Sequence, residues 1–228
     1  MQVNISPKKS FRNLLIIILF LMTANTAGLI SRLYLDHGNV FGLIDLFNVD
    51  REHNIPTIFS ALLLIFSSIL LYFISHWHKQ ERSAYISWLG LSVIFAFLSV
   101  DELASLHERL GRSFASAFEL PGYFHFAWVV PYGILAILFG IVYLRFLLKI
   151  PRTTAGYFIL AGIIYVGGAI GFEMISSWIV NMGMIYSLPY EITVGFEEFF
   201  EMLGVSIFIY ALLQYIQSHC EGLEIKIG

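Results

Sequence analysis

Charge is scarce in this chain. Only 13% of its 228 residues are Asp, Glu, Lys or Arg, against about a quarter in an ordinary soluble domain. That shortage excludes a water-soluble fold with a charged surface. Cysteine occurs once, as Cys220, which excludes an intrachain disulfide and any metal site built from several thiolates. No basic arm or aromatic-interleaved basic patch is present, so nucleic acid is not an expected partner. Low-complexity tracts and tandem repeats are missing as well, and nothing marks a boundary between domains. What fills the chain instead is apolar: 58% of residues are hydrophobic and 21 are Phe, with a mean hydropathy of +0.78. The lipid bilayer is the expected solvent and the first expected partner.

A hydrocarbon core about 30 Å thick needs roughly 20 apolar helical residues. Six segments satisfy this, at 14–34, 56–75, 84–108, 124–148, 157–180 and 191–217. The expected fold class is an all-α integral membrane protein, a bundle of six transmembrane helices forming a single transmembrane domain over 1–228. The first segment follows Lys8, Lys9 and Arg12, as a signal peptide would. Its apolar run exceeds a signal core and no small-x-small cleavage site follows, so it reads as a retained anchor.

Basic residues set the orientation. With the N-terminus inside, Lys8, Lys9, Arg12, Lys79, Arg82, Arg145, Lys149, Arg152 and Lys226 are internal, and Arg32, Arg51, Arg109 and Arg112 external. The bias places both termini in the cytoplasm. The long outer connection, 35–55, contains VFGLIDLF, which is expected to lie flat on the membrane as a short amphipathic helix.

Acidic residues then fall almost entirely on the outer side, and several lie within the spans. Asp101 and Glu102, Glu173, and Glu197 and Glu198 each sit about seven residues inward of a segment's outer end, on the order of 10 Å deep. Glu201 lies a turn deeper. Glu197, Glu198 and Glu201 fall within a 100° sector of an ideal helix, so they share a face. A lipid-facing triad would cost roughly 2.5 kcal/mol or more per charge, so that face is expected to point into the bundle. On the third segment Asp101, Ser105 and Glu108 share a face, whereas His107 points elsewhere on an ideal helix. Gly167 and Gly171 form a GxxxG pair expected to let a neighbouring backbone approach Glu173, and small-residue faces of this kind also offer contacts for homo- or hetero-oligomers.

Carboxylates gathered at low dielectric share protons, pair with Arg, or bind a cation. The candidate cation ligands are Asp101, Glu102, His107, Glu108, His125, Glu173, Glu197, Glu198 and Glu201. Carboxylates with imidazole suit Mn, Fe or Zn, and carboxylates alone suit Ca, so a divalent metal is the candidate cofactor. Known intramembrane sites do not match. Met202 stands where the CAAX-type proteases need arginine after a Glu-Glu pair, and the three-histidine zinc site of ceramidase-type hydrolases has no counterpart.

Two stretches, LFNVDREHNIPTIFS and FLSVDELASLHERLG, resemble motifs of an uncharacterised family of bacterial multi-span inner-membrane proteins. The resemblance covers about the first half of the chain. It implies the bacterial inner membrane and carries no activity. Three functions remain open on the residues alone: a cation- or proton-binding membrane protein such as a small transporter or accessory subunit, a metal-dependent membrane enzyme, and a structural or assembly protein. On a purely structural reading, 101–108 and 191–198 are helix extensions standing in water and only Glu173 demands an explanation.

Overall fold

The computed structural model describes residues 6–107, 109–111, 113 and 128–220. Among them there is no strand, and six helices are long and apolar enough to cross a membrane. They are α1 (Pro7–Tyr34), α3 (Ile55–Gln80), α4 (Ile86–Ala104), α5 (Val129–Leu147), a composite fifth crossing and α8 (Leu188–His219). The composite joins α6 (Arg152–Val166) to α7 (Glu173–Asn181) through a π-helical stretch, Gly167–Phe172. A short helix, α2 (Leu43–Phe47), interrupts the connection between α1 and α3. Six crossings bring the first and last helices' free ends to one end of the bundle, and Phe11 packs on Tyr210 there, with ring centroids 5.7 Å apart. The opposite end is called distal below.

Helix starts follow local chemistry. Asn54 caps α3 by accepting the Thr57 N–H at 3.2 Å, with Pro56 in the first turn, where its missing N–H costs nothing. Ser187 and Pro189 open α8 in the same way. α8 is the central post, packed against α1, α3, α6, the π stretch and α7. Leu70, Leu71, Ile74, Met202, Ile209 and Leu212 are almost wholly buried at its contacts.

Between α3 and α4 the glue is serine. Ser68 Oγ donates to the Ser92 carbonyl at 2.7 Å, and Ser92 Oγ returns a bond to the Ser68 carbonyl at 2.9 Å. Ser99 Oγ donates to the Ala61 carbonyl at 2.9 Å. Small side chains let these helices close up, and in lipid such hydrogen bonds have no competing water. α5 is held differently, by large rings: Tyr143 O–H donates to the Ser87 carbonyl at 3.3 Å, and Phe146 meets the Trp88 ring edge-on at 4.9 Å. Its Ile134, Ile137, Ile141 and Val142 are left exposed for lipid.

The glycines that permit close approach are not the expected ones. Nothing lies within 4 Å of a Cβ built on Gly167 or Gly171. Gly168 does the packing instead: a Cβ there would sit 3.1 Å from the Glu197 carbonyl and 3.2 Å from the Glu201 nitrogen. Gly204 on α8 is tighter still, with the Tyr165 nitrogen at 2.8 Å. The π stretch changes the angular spacing of residues, so ideal helical geometry picks the wrong face.

One further expectation is revised. The segment expected over 84–108 stops at Ala104, because Ser105 turns into the left-handed region at φ 48°. The short helix expected in the connection is present as α2, with Phe41, Leu43 and Leu46 exposed, and the 35–54 segment adds contacts with the bundle. It folds back along α1, with Ile44 against Gly28, Phe47 on Phe20 (5.9 Å between centroids) and the Val49 N–H bonded to Asn25 Oδ1 at 3.2 Å. Val49 then packs with Ile179, Tyr190 and Val194, which gives the segment a buried anchor that a surface helix would lack.

Candidate functional site

The early end of α4 builds the first part of the site. Where α4 breaks at Ser105, the chain turns back over its own last turn. Asp101 Oδ1 accepts the His107 backbone N–H at 2.9 Å, and its Oδ2 faces His107 Nδ1 at 3.2 Å. Tyr132 on α5 donates its hydroxyl to Asp101 Oδ1 at 2.9 Å. Continued as an ideal helix, the segment would have aimed His107 away; the break delivers it to Asp101. Burial alone would lower the imidazole's pKa. The Asp101 bond and charge, with Glu201 and Glu102 beyond, outweigh it and push the value up to about 9. His107 is therefore an imidazolium at neutral pH, and Trp128 and Tyr132 pack their rings against it at 5.0 and 6.3 Å.

The second part lies where the π stretch hands over to α7. Glu173 is 9% exposed and Glu197 on α8 is 8% exposed. Trp128 Nε1–H donates to Glu173 Oε1 at 3.0 Å, and the Glu173 and Glu197 carboxyls face each other. Gly168 makes the geometry possible by seating the π stretch on the α8 backbone at Glu197 and Glu201.

The third part is a set of carboxyls facing one another across α4 and α8. Glu102, Glu198 and Glu201 interact electrostatically with each other and with Glu52, Glu198 and Glu201 also with Glu173, and Tyr165 is within electrostatic reach of the group. Asp101, Glu102, His107, Glu173, Glu197, Glu198 and Glu201 are linked by overlapping pairwise electrostatic interactions. Glu108 and His125 lie outside the described residues.

Cations are few. Among the described residues, the ion pairs of Lys and Arg are Arg32 with Glu191 and Arg51 with Asp45, and neither reaches Glu102, Glu198 or Glu201. Also among the described residues, no three His, Cys, Asp or Glu side chains are grouped so as to hold a metal ion.

Several participants escape a reading of the sequence. Glu52 and Asp50 look like loop decoration, yet the folded-back connection carries Glu52 into reach of Glu102, and sets Asp50 under Tyr190, whose hydroxyl donates to Asp50 Oδ1 at 2.8 Å. Burial, with Glu191 and Glu173 nearby, pushes the Asp50 carboxyl up to about 6, against the opposing pull of Tyr190 and Arg32. Trp128 and Tyr132 carry no sequence signal, since an aromatic near a span end is ordinary. At the other end of the bundle, His78 is fully engaged: Nδ1 meets Ser83 Oγ at 2.7 Å and Nε2 meets the Tyr215 hydroxyl at 2.9 Å.

The architecture is that of a multi-pass membrane protein, and comparison with known families agrees in extent with the six-helix bundle. A family model described as a domain of unknown function, DUF8692, matches residues 14–215. The chain belongs to that family. The match runs from the first apolar helix nearly to the end of the last, so the whole cluster lies within it. No curated protein and no solved structure matches the chain.

Proposed function

We propose that this protein binds and exchanges a cation at the distal carboxylate cluster, and that the cation is the proton. The observation that carries the reading is the buried Glu173–Glu197 pair, two carboxyls facing each other where no Lys or Arg among the described residues is paired with either. Around it, Glu102, Glu198 and Glu201 form a like-charged group in which proton affinity is coupled from site to site. Asp101 and its imidazolium partner His107 neutralise each other and fix one wall. Trp128 and Tyr132 hold the acceptors in place.

The site is one-sided. From Glu201 to Tyr215 along α8 is about 21 Å, and the buried side chains over that length are apolar apart from Ser206. Leu63, Leu64, Leu70, Leu71, Phe208 and Leu212 close the space between the cluster and the termini. Such a plug supports uptake and release on the distal side over a through-channel. The excess of Lys and Arg near the termini supports a cytoplasmic position for both, which puts the cluster on the external face. The two sequence motifs support the bacterial inner membrane as its location.

A metal-dependent enzyme is the second reading, and one observation favours it. Asp101 holds His107 through Nδ1, which is how a carboxylate commonly orients a histidine whose Nε2 binds metal. Elemental mass spectrometry of detergent-purified protein, reloaded with Mn, Fe, Zn or Ca, separates the two. The proton reading expects no stoichiometric metal. Near-stoichiometric metal lost in a folded Glu173→Gln/Glu198→Gln double variant would replace it with the second reading.

A further inference from the structure

The connection 35–54 is bound to the bundle in a way that makes its docking conditional. Its contacts with α1 are apolar or neutral: Ile44 on Gly28, Phe47 on Phe20, and the Val49 N–H on Asn25 Oδ1. Its side-chain hydrogen bond to α8 is of another kind, Tyr190 O–H to Asp50 Oδ1 at 2.8 Å. Within the segment, Asn54 Nδ2 ties back to the Asn48 carbonyl at 2.6 Å, and Asn39 Oδ1 accepts the Gly42 N–H at 2.7 Å. Non-glycine residues in the left-handed region stand near both ends, Asp36 at φ 55° and His53 at φ 62°. Backbone preference therefore does not favour the docked shape; side-chain contacts impose it.

We propose that the 35–54 segment is an acid-closed strap over the carboxylate cluster, latched by Asp50 on Tyr190, which delivers Glu52 to the cluster when docked and admits water when released. The inference rests on the cluster being the proton site and adds its regulation. Docked, Asp50 faces Arg32 from α1, Tyr190 and Glu191 from α8, and Glu173 from α7. Arg32 is already engaged by Glu191, so it offers Asp50 little compensation. Within the strap, Arg51 is paired with exposed Asp45, and His53 is exposed.

The sign follows from the burial of the Asp50 carboxyl on docking, which outweighs the Tyr190 hydrogen bond and Arg32. Docking holds the Asp50 proton up to about 6, whereas the released carboxyl titrates at its ordinary value of 3.8. The docked strap binds the extra proton between those values. Docking is therefore fully favoured below 3.8 and weakens as pH rises through about 6. At neutral pH the strap is loosened; acid closes it.

The test is hydrogen exchange by mass spectrometry on the full chain in detergent, at pH 5 and pH 8 after correction for intrinsic rates. Amides of 43–54 should exchange at least about tenfold faster at pH 8 in the wild type. Asp50→Asn, which mimics the protonated latch, should keep them equally protected at both values. Tyr190→Phe should lose protection over 43–54 at pH 5 while the α3 and α8 amides stay protected. Wild-type protection that ignores pH overturns the proposal. So does an Asp50→Asn variant with the wild-type pH dependence, or, should that variant fail to fold, unchanged protection in Tyr190→Phe. An infrared band from a protonated carboxyl at Glu173 and Glu197 reads the cluster separately. Its presence beside a pH-insensitive strap sinks the strap alone, and its absence beside a pH-sensitive strap sinks the proton site and leaves the latch.

Discussion

Asp101 works harder than any other side chain in the cluster. Its two oxygens accept the His107 N–H and the Tyr132 hydroxyl and face His107 Nδ1. Removing its charge with Asp101→Asn leaves burial as the dominant influence on His107, which on its own lowers the pKa. The imidazole should then titrate clearly lower than about 9, as followed by NMR of labelled histidine. An unchanged titration would mean that Asp101 does not set the charge of His107. Trp128 has an equally specific duty. Trp128→Phe deletes the donor to a buried Glu173 oxygen and should cost about 1–3 kcal/mol of stability, measured as a fall in thermal midpoint in detergent. These side chains show why sequence reading found the acids and missed their partners. A carboxylate inside an apolar run is anomalous and visible. A tryptophan at a span end is ordinary, and only a fold can say that its N–H meets Glu173.

At the scale of elements, close packing of the π stretch and α8 sets the Glu173–Glu197 geometry. Gly204 lies against the Tyr165 backbone, which cannot yield as a flexible side chain would. Gly204→Leu and Gly168→Leu should each destabilise the bundle by about 1–3 kcal/mol or more. Gly167→Leu and Gly171→Leu, where the space is open, should fold normally. Thermal unfolding of the four variants decides it; equal damage at all four would contradict the packing described. The six helices were legible because length and hydropathy are summed over many residues. The GxxxG pair at Gly167 and Gly171 was misread because periodicity presumes an unbroken α-helix, and the insertion that makes a π turn leaves no mark in composition. The break at Ser105 escaped for a related reason: nothing in DELASLHE announces a serine with positive φ, and the turn exists because Asp101 can reward it with His107. The short helix after α1 was legible, but its anchors Asn25 and Tyr190 were not, because they lie on other helices.

Over the whole molecule, the buried carboxyls gather at the distal end, and the α8 side chains between them and the termini are apolar apart from Ser206. Charge held in such a place makes stability depend on pH. His107 takes up its proton more tightly folded than unfolded, with a pKa near 9 against 6.5. Its contribution is fully present below 6.5 and is lost as pH rises through about 9, amounting to ~3 kcal/mol at most. The wild-type thermal midpoint should therefore fall between pH 7 and pH 9.5 more steeply than that of His107→Gln. Parallel curves would remove His107 from the electrostatics of the cluster.

The central claim is that a proton resides between Glu173 and Glu197, and infrared difference spectroscopy of the purified protein across pH 5 to 9 addresses it most directly. A protonated-carboxyl stretch that persists at neutral pH, and that vanishes in folded Glu173→Gln and Glu197→Gln variants, is the predicted result. A spectrum showing only ionised carboxylates at neutral pH, or a band untouched by both substitutions, would contradict the account.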